Sequence, residues 1–400
     1  MKIKRPKPVL WGIDEQHEVS SIVHAYLKTL PEYCSQNQSL VMSFLKMYQA
    51  SRDTYQTYRR ELERWLQWCW LVRKVSILNA TRDDVLAFLK FCKSPPLQWI
   101  GDKLSSRFSK GEFNDEWYVF VNRRKGQASK LSAYQWSESA SKIMIATLST
   151  FYTYCLQEQQ VYTNPVQAIR QKKRLYQSHQ HQRVMRKLSD HQWRYVINQL
   201  LHRSVNDVVF ERHLFVLSMF FLLGLRISEL AASDRHHPVM GDFFQDHSMR
   251  WWFKTLGKGN KWREIAVPDA CMDALKRYRL HLGMTAMPTP GDSAPLVHKM
   301  QGVGGLQARQ IRNLVQEAFD LAICKLQSEG FAEDARHLSV ATVHWLRHTS
   351  ISHDVQHRPR EHVRDDAGHH HVGVTDQYVE IDLEARYISA KDKPLVPNTD

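Results

Sequence analysis

The sequence predicts a mainly α protein with a small β component, built as two domains joined by a basic linker. Three observations carry this expectation. Apolar residues recur at three- and four-residue spacings through 54–70 and 137–157, and a strongly apolar helical stretch covers 214–223; buried helix faces have this period. β-prone residues at 249–255 and 262–268 flank a short Gly/Asn turn, a hairpin signal. Seven Lys and Arg with no acidic residue fill 170–187, between a helical half and a mixed half.

Length and composition agree. At about 150 residues per domain, 400 residues fit two domains. Hydrophobic residues at 43% and charged residues at 24% exclude a disordered chain, a collagen-like repeat and a small disulfide scaffold. Lys and Arg number 55 against 41 acidic residues, a net charge of +14. Such a balance is the footprint of a nucleic-acid partner, although any large anion would answer the same field. The most apolar stretch, 214–225, is interrupted by Ser218 and Gly224 and stopped by Arg226. It falls short of the roughly 20 residues that cross a bilayer, so no membrane partner is expected. The basic N-terminus has only a short apolar run with acidic residues directly after it, so no secretory signal is expected. Six scattered cysteines without a CxxC pair read as buried, reduced thiols of a cytosolic protein.

Taken in order, residues 1–36 read as an N-terminal extension with little periodic signal, and 37–169 as a helical domain. Within it, Tyr58, Leu62, Trp65, Leu66 and Cys69 form one apolar stripe, with Arg59, Arg60, Glu63 and Arg64 on the opposite face. Thr81 is an N-cap with Asp84 three residues on, close to a capping box, and Val85, Phe88, Leu89 and Phe91 follow. A third helix carries Ile143, Leu148, Phe151, Tyr152 and Leu156. Between them, 94–135 opens on Pro95-Pro96 and reads as a long insertion, with a hairpin around Trp117 to Val121 and a surface for an added DNA or protein contact. Asn164-Pro165 stops the helical pattern. The linker, 170–188, offers Lys172, Lys173, Arg174 and Arg183 as phosphate contacts; a solvated charge run is the plain alternative. The second domain, 189–391, opens on Ser189 as an N-cap. Its hairpin turns at Gly257-Lys258-Gly259-Asn260, and helices follow near 269–282, 306–328 and 342–353. Residues 381–391 keep a helical spacing, and 392–400 read as a disordered tail.

Four segments of the second domain concentrate chemistry. In Gly224-Leu225-Arg226-Ile227-Ser228-Glu229-Leu230, a guanidinium directly follows a long apolar helix and needs an anionic partner. Taken alone, the segment reads first as a structural Arg226–Glu229 pair. Lys258 lies between two glycines, where backbone and ammonium can approach a ligand; alone, it reads as a solvated turn lysine. His344 and Arg347 share a helix face and can address one anion together. A metal site at His344 and His348 is the rival reading, but Trp345 stands where a zinc-protease pattern needs Glu, and Arg347 repels a cation. Gly368-His369-His370-His371 precedes Tyr378, and three consecutive histidines cannot face one point on a helix, so no metal is expected there either.

Together, in this order, the segments resemble the tyrosine recombinase (phage integrase) family, of the bacterial mobile-element integrase type. The family's G-L-R-x-S-E-L segment is matched at Arg226, its G-K-G-N-K hairpin at Lys258, and its H-x-x-R at His344 and Arg347. Its G-H is matched at Gly368-His369, and its nucleophilic Tyr, nine residues further on, at Tyr378. The match spans roughly 189–390; Val363-Arg364-Asp365-Asp366-Ala367 is more polar than the family's usual L-L before G-H.

The resemblance implies a helical SAM-like core-binding domain followed by an α+β tyrosine-recombinase catalytic domain carrying a β-hairpin or small antiparallel sheet. It implies that Arg226 and Arg347 grip the non-bridging phosphate oxygens and that Tyr378 forms a 3′-phosphotyrosyl link. In the same scheme His344 is the candidate base or a hydrogen-bond partner of the phenol, Lys258 the candidate acid for the departing 5′-hydroxyl, His369 a further donor to the phosphate, and Glu229 an orienting neighbour. No metal, cofactor or ATP is required. The implied function is site-specific recombination or integration through a Holliday junction. The implied partners are double-stranded DNA with specific recombination sites and three further copies of the chain, a homo-tetramer on two duplexes assembled from free monomers. An accessory DNA-bending or directionality factor belongs to the same picture, as does a cytoplasmic, nucleoid-associated location. Arg59, Arg60, Lys261 and Arg263 join the linker cations as candidate DNA contacts. Two alternatives are type IB topoisomerase-like relaxation and a non-catalytic DNA-binding protein on a recombinase scaffold.

Overall fold

The computed structural model describes residues 4–122, 134–167, 169, 186–207, 209–257 and 259–368. The chain divides into two compact units, Met1–Gln182 and Arg183–Asp400.

The first unit is helical, with α1 (Gln16–Leu27), α2 (Glu32–Lys46), α3 (Arg52–Trp68), α4 (Arg82–Lys93) and α5 (Glu138–Gln157). The stripe read from the sequence is the core: Leu62, Trp65, Leu66 and Cys69 are fully buried against Phe88, Leu148 and Phe151. Two buried polar groups fix the packing register, because the Trp65 indole donates to the Tyr152 hydroxyl at 3.0 Å and that hydroxyl donates to the Ile77 carbonyl at 2.7 Å. Thr81 caps α4 in a full capping box with Asp84, which satisfies two of the amides that a helix start leaves unpaired.

Two expectations for this unit need correction. Residues 4–36 are not a featureless extension. Val9, Leu10 and Trp11 are buried in the core, although they lie in irregular backbone. Side chains replace the missing ladder: Glu63 accepts from Val9 N at 2.7 Å and Leu10 N at 3.3 Å, Gln38 donates to the Val9 carbonyl, and Tyr55 to the Trp11 carbonyl. A segment held this way has no period to read. The hairpin of the insertion is also elsewhere. Phe120–Val121 (β4) pairs in parallel with Ile100–Gly101 (β1), while the hairpin joins Phe108–Ser109 (β2) to Glu112–Phe113 (β3). Its turn uses Lys110 and Gly111 at φ 52° and 76°, the pair of left-handed residues that a two-residue hairpin requires. With Trp99, Trp117 and Phe120 buried, the described part of the insertion is core. Its remainder, 123–133, lies outside the described residues, as does 170–185 of the linker.

The second unit packs α6 (Asp190–Asn206), α9 (Asp269–His281), α10 (Ala308–Ser328) and α12 (Val343–His357) around α7 (Val209–Leu222). Ser189 caps α6 in a capping box with Gln192. Helix α7 buries almost its whole surface, including Phe215 stacked 4.5 Å from Tyr278. One antiparallel sheet, ordered β5 (Phe243–Gln245), β6 (Trp251–Leu256) and β7 (Trp262–Ala266), contains the expected hairpin. Strand β6 starts at Trp251 rather than at 249, because Met249 takes φ 60° within the preceding turn. Short α8 (Ile227–Leu230), α11 (Ala332–Ser339) and α13 (Arg360–Ala367) complete the described residues. Among the described residues no helix is long and apolar enough to cross a membrane. Five cysteines are buried, while Cys324 is exposed, contrary to the uniform burial expected.

Replacing Thr81 with Ala removes a cap that both ends of the box depend on. The unfolding free energy is expected to drop by ~1 kcal/mol, read from the urea midpoint; an unchanged midpoint would remove the cap from the account.

Candidate active site

The cations of the second unit gather where α7 ends. Gly224 follows that helix at φ 56°, and a Cβ there would lie 3.1 Å from Ser350 Oγ, so glycine makes the sharp exit possible. The turn delivers Arg226 to the start of α8, three residues before the fully buried Glu229. Arg226 N donates to Glu229 Oε2 at 2.6 Å, and Arg226 Nη1 donates to Oε1 at 2.9 Å. Arg263 reaches the same carboxylate from β7, Nη2 to Oε2 at 2.7 Å and Nε to Oε1 at 3.2 Å. The sheet register sets this up: Thr255 stands opposite Arg263 on the inner face, and its hydroxyl donates to the Glu229 carbonyl at 3.2 Å. Burial alone would raise the Glu229 pKa. The charge and hydrogen bond of Arg263, with the Arg226 amide and guanidinium, outweigh burial and hold it below the usual glutamate range.

Arg347 comes from α12 and is 2% exposed. It donates to the Gly224 carbonyl and, at 2.7 Å, to the Ala367 carbonyl. Arg226 Nη2 donates to the next carbonyl, Gly368, at 3.2 Å. Two guanidiniums thus hold successive carbonyls at the end of α13, where unsatisfied oxygens and the helix dipole both favour cations. Gly368 caps that helix at φ 61°. A Cβ on it would meet Arg263 Cδ at 3.0 Å and sit 3.6 Å from Arg226 Nη1, so a bare backbone is what allows the close approach.

His344 lies one turn before Arg347, and its ring contacts that of His348 at 4.3 Å. The residue is exposed, but partial desolvation of its imidazole, then Arg347, Arg226 and Arg186, push its pKa below the ordinary histidine value. At neutral pH the ring is uncharged and able to take a proton. A pocket of about 540 Å³ opens between Arg226 and His344, walled by Leu225, Val315, Phe319 and Arg312. Arg226 and Arg263 therefore share the Glu229 carboxylate, Arg347 holds the neighbouring carbonyls, and His344 stands beside them as a proton acceptor. A gathering of guanidiniums suits an oxyanion, and the planar guanidinium fork suits phosphate in particular. Among the described residues, no three His, Cys, Asp or Glu converge as a metal site would need.

The structure thus brings Arg226, Arg347, His344 and Glu229 together. Lys258, His369 and Tyr378 lie outside the described residues, as do Lys172, Lys173, Arg174 and Arg183. Lys261 is exposed at the hairpin turn, with its carbonyl accepting from Gly257 N at 2.8 Å. Arg263, expected as a DNA contact, turns inward onto Glu229 with its side chain 10% exposed. Strand alternation explains this, since the neighbouring inward position on β7 is the buried Ile265. That alternation was the signal available in the sequence for its place beside Glu229. In the first unit, Arg59 is also mostly covered, paired with Glu15 at 3.4 Å on a face that the N-terminal segment occupies. Arg60 stays partly exposed and pairs with Glu61 at 2.7 Å.

No family model matches the chain. It is 27% identical over 188 residues to tyrosine recombinase XerC of Stutzerimonas stutzeri (strain A1501), a match covering 46% of this chain and 54% of that protein. It is 33% identical over 146 residues to tyrosine recombinase XerC of Corynebacterium efficiens, covering 36% and 38% of the two chains. The chain thus spans about half the length of the first of these curated relatives. Among solved structures, the XerH site-specific recombinase bound to its difH substrate superposes with a TM-score of 0.51 at 12% identity, over 98% of both chains. The Tn1549 transposon integrase in complex with transposon right end DNA gives 0.56 at 13% identity, over 90% of this chain and 98% of that one. The chain has the fold of the tyrosine recombinases, mostly helical with a few small sheets, and is related to them in sequence.

Glu229→Gln would leave Arg226 and Arg263 without their shared counter-charge. The unfolding free energy at neutral pH is expected to fall by ~3 kcal/mol. Because the folded pKa of Glu229 is depressed, its contribution is present above about pH 4.3, the unfolded value, and fades as pH drops through the folded one. The gap between parent and variant in urea unfolding should therefore narrow with acidification; a constant gap would contradict an ionised Glu229.

Proposed function

We propose that the chain is a site-specific DNA recombinase or integrase, cutting and rejoining strands through a 3′-phosphotyrosyl intermediate. The observation that carries this reading is the guanidinium cluster, Arg226 and Arg263 on the Glu229 carboxylate and Arg347 on the adjoining carbonyls, with uncharged His344 beside it. The tyrosine-recombinase fold and the related XerC sequences support it.

A phosphodiester resists attack because its negative charge repels a nucleophile and grows in the transition state, so positioning and charge stabilisation supply most of the rate. In the proposed reaction the Tyr378 oxygen attacks phosphorus and its proton passes to His344. A free phenol, with pKa about 10, needs that acceptor. The bond to the 5′-oxygen breaks, Lys258 protonates the departing hydroxyl, and His369 adds a hydrogen bond to the phosphate. Arg226 and Arg347 neutralise the non-bridging oxygens. The 3.2 Å contact of Arg226 with the Gly368 carbonyl is the one that a phosphate oxygen would take over. Glu229 and Arg263 act behind them as positioning residues, fixing the Arg226 fork before substrate arrives. The phosphotyrosyl bond conserves the energy of the ester. A 5′-hydroxyl from a second duplex reverses the step and joins new strands, and two such rounds pass through a Holliday junction. The assembly is a homo-tetramer on two duplexes with specific recombination sites, and the cations of 170–188 add sequence-independent phosphate contacts.

A nicked duplex cut from the DNA flanking the gene traps the intermediate. The parent should form an adduct stable to detergent, while Tyr378→Phe forms none yet binds the duplex close to the parent's affinity; adduct in that variant would reject the nucleophile. Arg226→Lys keeps the charge but loses the fork, and should slow adduct formation by ~100-fold.

The rate should also depend on His344. Its lowered pKa keeps it unprotonated through the ordinary histidine range, so the acid limb of the adduct rate should fall below about pH 6.5. His344→Gln should remove that limb. An identical limb in the variant would take His344 out of the proton path.

A further inference from the structure

The alternation that turns Arg263 inward puts its neighbours on the other side of the sheet. Thr255, Arg263 and Ile265 face the core, so Trp252, Lys254, Leu256, Trp262 and Glu264 belong to the outer face. Trp262 is 53% exposed there, unusual for the largest side chain in a strand. It is nonetheless held in place. The His236 ring meets it edge to face at 5.2 Å, and Lys254 Nζ lies 5.1 Å from its ring centroid. Exposed Lys261 is adjacent in sequence; Glu264 stands opposite Lys254, Asp242 lies 3.8 Å from His236, and Asp246 accepts from the Trp252 indole at 3.1 Å. An exposed indole held by an imidazole and an ammonium group, one residue from Arg263, has the makeup of a nucleotide contact. Aromatic faces stack on bases or sugars while neighbouring ammonium groups take the phosphates.

We infer that Trp262 is a DNA-contacting residue, packing its indole against a nucleotide next to the scissile phosphate while Lys254 pairs with a flanking phosphate. The occupant is duplex DNA, favoured by the exposed Trp262 with Lys254 and Lys261 beside it and by the net charge of +14. The inference rests on the recombinase reading for its place in the reaction, but not for the contact itself.

The test uses the full chain and a fluorescein-labelled duplex of mixed sequence, titrated by anisotropy over a salt series. Trp262→Ala should weaken binding about tenfold with the salt slope unchanged, because the lost contact carries no charge. Trp262→Phe should restore most of the affinity. Lys254→Ala should lower the salt slope by about one. Affinity of Trp262→Ala within about twofold of the parent overturns the inference. So does an equal loss in the Ala and Phe variants that tracks a lower melting temperature, the mark of a merely structural ring. The nicked-duplex assay separates the two claims: if the parent forms no adduct but binding still depends on Trp262, the recombinase reading falls and the contact stands.

Discussion

One buried carboxylate organises the second unit. Glu229 binds Arg226 from the turn after α7 and Arg263 from β7, and accepts the Arg226 backbone amide as well. A lone carboxylate in that position would be costly to ionise, and neighbouring guanidiniums without it would repel one another. Joined, they tie a helix end, a four-residue helix and a sheet edge at one point. Around it, the carbonyls of Gly224, Ala367 and Gly368 accept from Arg347 and Arg226. A site arranged in this way is already oriented toward an anion before any anion arrives, and a phosphoryl-transfer centre needs that preorganisation.

The first unit repeats the device with a different balance. Glu63 is buried, accepts the amides of Val9 and Leu10, and pairs with Arg107 at 3.0 Å. There burial outweighs its partners, and the pKa rises above the usual glutamate value. Glu229, facing two guanidiniums at bonding distance, goes the other way. The same residue type thus anchors irregular backbone in both units, and the balance between burial and its charged and hydrogen-bonding partners sets the sign of its shift.

Much of this was legible in the sequence where a local rule applies. Thr81 with Asp84, Ser189, and the Gly-rich turn before Trp262 act through neighbours a few residues away. The spacing of Arg226 and Glu229, and of His344 and Arg347, fixes their mutual reach for the same reason. What stayed hidden depends on partners far along the chain. Arg263 lies 34 residues from Glu229, and only the strand register shows which way it points. The segment around Val9 is held by side chains 29 to 54 residues away, so it carries no period of its own. Helix α13 buries only Val363 and Ala367, too little to show as an apolar stripe. It nevertheless ends on the two carbonyls that the arginines hold.

That ending has a thermodynamic consequence. The oxygens of Ala367 and Gly368 occupy donors on Arg347 and Arg226, so an internal ligand and an incoming anion compete for the same guanidiniums. Competition of this kind is reciprocal. Whatever loosens the last turn of α13 raises the affinity for the anion by the same factor by which the bound anion loosens that turn. Ligand capture and the anchoring of the protein's final described helix are thus two readings of a single equilibrium.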